Sequence, residues 1–160
     1  MATFMRIVDG READHLASHG MALSRLGDGR RALYCFPVLR DFAMTHQWSR
    51  ELRRSGKRHL ACVQFRIPDQ DEVLIGTYNG DKMTMQAAAA VATVIAHQQP
   101  AGLEVLVLHS VKPSQIMRIY PAPRLVGWRY HPKAKGTRPC HCSYCNRGEI
   151  RAQRLIGTEP

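Results

Sequence analysis

Near its C-terminal end the sequence reads RPCHCSYCNRGE, placing Cys140, Cys142 and Cys145 at C-x-C-x-x-C spacing with His141 inside the cluster. Zinc takes about four soft or borderline ligands in a tetrahedron, and three thiolates spaced this closely reach one ion from a tight turn. The expected fourth ligand is His131 of WRYHPKAKG, because Pro132 and Gly136 bend the short connection back; His141 is the alternative. Such a set holds a structural metal, since hydrolytic zinc keeps a water-bearing position and uses His or carboxylate ligands. Its binding energy orders a segment too short and polar to fold alone. The competing reading of CSYC is a redox pair or unligated thiols, without a thioredoxin-like βαβ context to support it.

Two further groups carry chemistry. Glu104, in GLEVLVLHSVKPSQIMRIY, is a carboxylate at the start of an apolar strand just after a glycine break. There it can face a cleft, polarise a sugar hydroxyl or stabilise a developing cation, although a lone Glu at a strand start is more often a solvated end residue. In ALYCFPVLRDFAMTHQWSREL, Tyr34 lies on a strand leading into a loop and helix, so its ring is placed to cover a planar ligand. His46 and Gln47 would supply hydrogen bonds and Trp48 a stacking face; the plainer reading makes Trp48 helix core and His46 a surface residue.

The elements that must position these groups follow from periodicity. TFMRIV alternates as a strand, READHLASH has helical spacing and stops at Gly20, and ALYCFPV is a second strand after the GDGRR turn. Asp41 to Arg54 reads as a helix, HLACVQFRI as a strand ended by Pro68-Asp69, and EVLIGTY as a strand closed by the NGD turn. TMQAAAAVATVIAHQQ is an Ala-rich helix with Thr84 as its expected N-cap. LEVLVLHSV and IMRIYPAP are the last strands. Adjacent pairs of strands outnumbering helices argue for an α+β fold rather than a doubly wound parallel sheet. A Rossmann glycine fingerprint and a phosphate-binding GxxxxGK loop are both absent from the sequence.

The 160 residues suffice for one core, and the expected division is a domain over 1–124 with a basic extension over 125–160. The formal charge is +10, and between Arg124 and Arg154 eight lysines and arginines stand against Glu149 alone, a net +7. A charge so concentrated predicts a polyanionic partner, nucleic acid first. Cys35 and Cys62 sit in apolar runs rather than at the even spacing of a disulfide scaffold, so the thiols read as reduced and the chain as cytoplasmic. Neither a signal peptide nor a stretch of the roughly 20 apolar residues of a membrane span is visible.

Taken together, HLASHGM, ALYCFPVLRDFAMTHQW, HLACVQFRIP and GLEVLVLHSVKPSQIMRIY resemble the ADP-ribosyltransferase-like fold, the group of the DNA-modifying toxins and the tRNA 2′-phosphotransferases. The resemblance spans roughly Met5 to Tyr120 and is closest over EVLVLHSVKPSQI, where the family's strand glutamate is catalytic. It implies a split, mainly antiparallel sheet that binds NAD in a cleft. Glu104 would be catalytic and hold the ribose, Tyr34 would stack on nicotinamide, and Arg6, where the family's first-strand His or Arg falls, would contact the pyrophosphate. His46 and Gln47 complete the expected cofactor contacts. The implied reaction is ADP-ribosyl transfer through an oxocarbenium-like transition state, with nucleic acid or a protein side chain as acceptor. The alternative is a non-catalytic module in which a zinc clasp presents Arg138, Arg147 and Arg151 to phosphates.

Overall fold

A computed structural model describes residues 1–122 apart from 28, 40–42, 79, 98, 99 and 101. Within it β1 (Ala2–Asp9) leads through a 3-10 turn to α1 (Ala13–His19), β2 (Ser24–Arg25) and β3 (Arg31–Pro37). Then come α2 (Ala43–Arg54), β4 (Leu60–Ile67), β5 (Glu72–Thr77), β6 (Lys82–Gln86), α3 (Ala87–Ala96), β7 (Leu103–Val107) and β8 (Ile116–Pro121). The architecture is α+β, as expected, with a mainly antiparallel open sheet ordered β6-β5-β7-β3-β1-β4-β8 and β2 paired to β3. The expected zinc-bearing extension, with Cys140, Cys142, Cys145 and His131, lies outside the described residues.

Two local expectations are corrected. Thr84 is not the N-cap of α3: it lies in β6 opposite Leu74 of β5, and the helix begins at Ala87 after Gln86. The strand prevails because KMTMQ completes a hairpin with β5, whose open edge would otherwise leave backbone groups unpaired. The helix read from Arg11 also starts later, because Gly10–Glu12 forms a 3-10 turn in which Asp9 accepts from the Arg11 amide. Gly20 ends α1 as expected, at φ +77°. A side chain there would also collide with the Val111 carbonyl, against which Met21 forms an isolated bridge.

β3 is the hinge of the sheet's geometry. Its Leu33, Tyr34 and Cys35 pair with β7, whereas Phe36 and Pro37 pair with Met5 and Phe4 of β1. One wing is thus β1-β4-β8, anchored by the eight-residue β1–β4 register, and the other is β7-β5-β6. Helix α3 packs across β1, β3, β5 and β6, and α2 packs on β1. Together they close a core that includes Phe4, Phe36, Phe65, Met44, Ala90 and Val94. Cys35 and Cys62 are buried in this core as free thiols; burial pushes Cys62 up to about 11 and Cys35 higher still, so both are inert packing residues.

Strand β7 is buried on both faces, which decides where Glu104 goes. Side chains alternate along a strand. Leu103, Val105 and Val107 join the main core, while Leu106 joins a second cluster with Leu26 and Ala32, against which Tyr34 and Leu74 pack. Glu104, two positions from Leu106, shares that second face.

Candidate active site

Glu104 is 2% exposed, so it is not a solvated strand end. Its strand is central, between β5 and β3, and the cross-strand register puts Gly76 of β5 directly beside it and Lys82 of β6 beside Gly76. Because Gly76 has no side chain, Lys82 reaches over it and sets Nζ 3.0 Å from Glu104 Oε1. A Cβ on Gly76 would collide with the Asp81 carbonyl oxygen and crowd the Lys82 stem.

The Lys82 ammonium is also held by the turn that precedes its own strand. It donates to the Thr77 carbonyl at 2.6 Å and the Gly80 carbonyl at 3.1 Å. Burial raises the pKa of the Glu104 carboxyl, and Lys82 opposes that rise through its hydrogen bond and its charge. The second carboxylate oxygen, Oε2, is buried and has no hydrogen-bond partner among the described residues. An unpartnered buried acceptor costs about 1–3 kcal/mol, so this atom is the one unmet demand of the pair.

Glu104 and Lys82 line a cavity of about 320 Å³ together with Tyr34, Tyr78, Arg30 and Leu106. Tyr34, Trp48 and Tyr78 form an aromatic group, with ring centroids 5.9 Å apart for Tyr34–Trp48 and 6.0 Å for the edge-on Trp48–Tyr78 pair. Trp48, half-buried, joins the core through α2 and meets Tyr34 through its ring, so it serves both packing and the aromatic wall.

Of the residues singled out from the sequence, the structure brings Tyr34 and Glu104 to one cavity. Arg6 does not line that cavity. Where the β1–β3 ladder stops at Phe36, its guanidinium crosses between strands, donating to the Tyr34 carbonyl at 3.5 Å and to Ser24 Oγ at 3.4 Å. Gln47 is 1% exposed and also lies off the cavity; its amide oxygen accepts from the Gly102 amide at 2.7 Å, two residues before Glu104. The bond ties α2 to the start of β7. His46 is on α2, and its side chain is outside the described ones.

Sequence reasoning missed Lys82 and Tyr78. The available signal was KMTMQ following a turn as a hairpin partner of EVLIGT, which would have put Lys82 across Gly76. No group of three or more potential metal ligands occurs among the described residues. No described helix is long and apolar enough to cross a membrane.

Comparisons with protein-family models, with curated proteins and with solved structures give no match.

Proposed function

We propose that the Glu104 cleft catalyses ADP-ribosyl transfer from NAD. The observation that carries this reading is the state of Glu104, a buried carboxylate with one oxygen tied to Lys82 and the other without a partner, beside the tyrosines of the cleft. A ribose hydroxyl donating to Oε2 would meet that demand, once the side chains covering the atom part. The cavity is within the roughly 300–1,000 Å³ usual for ligand pockets and suits the nicotinamide riboside half of NAD.

In the reaction, the bond between ribose C1′ and the nicotinamide nitrogen breaks, and nicotinamide leaves with the bonding electrons. Positive charge spreads over C1′ and the ring oxygen, and the Glu104 carboxylate stabilises it. A nucleophile on the acceptor then bonds to C1′ and gives up its proton to solvent. Tyr34, its ring braced by Tyr78 at a centroid distance of 6.5 Å, would lie against the nicotinamide ring, and Lys82 would hold Glu104 ionised and fixed.

The test is nicotinamide release from NAD, followed by chromatography with single-stranded nucleic acid or protein supplied as acceptor. Release that requires the folded protein supports the reading; no release with either acceptor overturns it.

The extension is proposed to hold one structural zinc through Cys140, Cys142, Cys145 and His131, a donor set suited to a closed tetrahedron. The second reading, a non-catalytic nucleic-acid-binding module, is favoured by one feature, the net +7 between Arg124 and Arg154.

A further inference from the structure

A second concavity, of about 600 Å³, lies on the other wing of the sheet. Its walls come from the 3-10 turn and α1, from the end of α2 and the turn after it, and from the start of β4 and the end of β8. Three exposed arginines face it, Arg11, Arg53 and Arg58, with exposed His59 and half-buried Tyr120. None of the three arginines has an ion-pair partner among the described residues.

The nearby acids explain this. Asp9 and Glu12 are both taken by Lys57, at 3.3 and 4.0 Å, so of the carboxylates around the groove only Asp14 lines it without such a partner. Arg11 is attracted by the nearby Asp9 carboxylate without forming an ion pair with it, and the groove lining keeps three guanidiniums against the single acid Asp14. Guanidinium forks suit phosphate oxygens; the Tyr120 ring carries the Arg118 guanidinium over one face, 4.8 Å from its centroid, so a base would stack on the other.

Ala122 also lines the groove, and the chain continues from it into the segment with eight basic residues and one acidic. That segment has the same sign of charge as the groove and so cannot neutralise it. We propose that this groove is a docking site for single-stranded nucleic acid, with Arg11, Arg53 and Arg58 on phosphates and Tyr120 against a base.

The groove is distinct from the Glu104 cleft. β8 and β7 are separated by β4, β1 and β3, four inter-strand steps or roughly 20 Å. Docking does not depend on NAD chemistry, so the two proposals fail separately.

The experiment is fluorescence anisotropy of the full chain with labelled oligo(dT), oligo(rU) and a DNA duplex over a salt series, without NAD. Wild type binds a single strand more tightly than the duplex, and whichever of oligo(dT) and oligo(rU) binds better identifies the polymer. For the triple variant R11Q/R53Q/R58Q, affinity at low salt falls at least about tenfold. The slope of log K against log salt becomes shallower by about 2, because each phosphate neutralised on a single strand accounts for about 0.7 of it. The substitutions are on exposed side chains, and circular dichroism checks that the variant is folded. Unchanged affinity and slope in a folded triple variant would overturn the proposal, as would absence of single-strand binding or preference for the duplex by the wild type.

Discussion

At the scale of single residues, the Lys82–Glu104 pair makes a pH-dependent claim. Burial raises the folded-state pKa of Glu104 above its unfolded value, so the stability it contributes is fully present below the unfolded pKa and is lost as pH rises through the folded one. Lys82 limits that loss by favouring the carboxylate. K82M removes the opposing charge, drives the Glu104 pKa further up and leaves the ionised form uncompensated. Urea unfolding is expected to show a deficit of about 3–5 kcal/mol near neutral pH, shrinking toward about pH 3, where the carboxyl is protonated in both states. An equal deficit at both pH values would show that Lys82 acts by packing alone. Gln47 makes a second claim: Q47L leaves the Gly102 amide without its acceptor. The expected cost is about 1–3 kcal/mol, with faster hydrogen exchange at that amide. Glu104 was legible in the sequence as a carboxylate at the start of an apolar strand, but its burial was not, since a lone Glu there more often ends in solvent. Lys82 was not, because its role comes from cross-strand register over Gly76, which no local pattern carries.

At the scale of elements, strong periodicity survived and edge structure did not. β1, β3, β4, β5, β7 and β8 all correspond to strands read from the sequence, since each buries at least part of one side and keeps an apolar signature. β2 has only two residues, and β6, an edge strand with no fully buried position, runs directly into the Ala-rich helix; β8 is likewise an edge strand with no fully buried position, but its IMRIY keeps a β-branched and aromatic signature. The Ala-rich run then drew the helix start back to Thr84. Two substitutions separate the readings. T84A leaves stability within about 0.5 kcal/mol, the usual range for surface changes, because Thr84 caps nothing. G76A costs about 1–3 kcal/mol as an overpacked site, because a methyl group meets the Asp81 carbonyl. Thermal unfolding of the two variants side by side checks both. A T84A deficit of about 1 kcal/mol, the usual cost of a missing cap, would restore Thr84 as the helix start.

At the scale of the whole molecule, the α+β class and the antiparallel pairing followed from strands lying in adjacent pairs. The way β3 passes from β7 to β1 was not legible, because pairing partners distant in sequence leave no local trace. The convergence of Tyr34 and Glu104 on one cavity depends on that handover, since Tyr34 sits in the stretch of β3 paired with β7. Metal content tests the proposed extension: H131A is expected to lose zinc on dialysis while H141A retains it, and the reverse would make His141 the fourth ligand. The central claim is that the Glu104 carboxylate stabilises charge developing on a ribose. It is tested most directly by the rate of nicotinamide release from NAD by wild type and E104Q under identical conditions with acceptor present. The predicted result is a fall of about 10²–10³-fold in E104Q with the fold intact. Equal rates in the two proteins would contradict it.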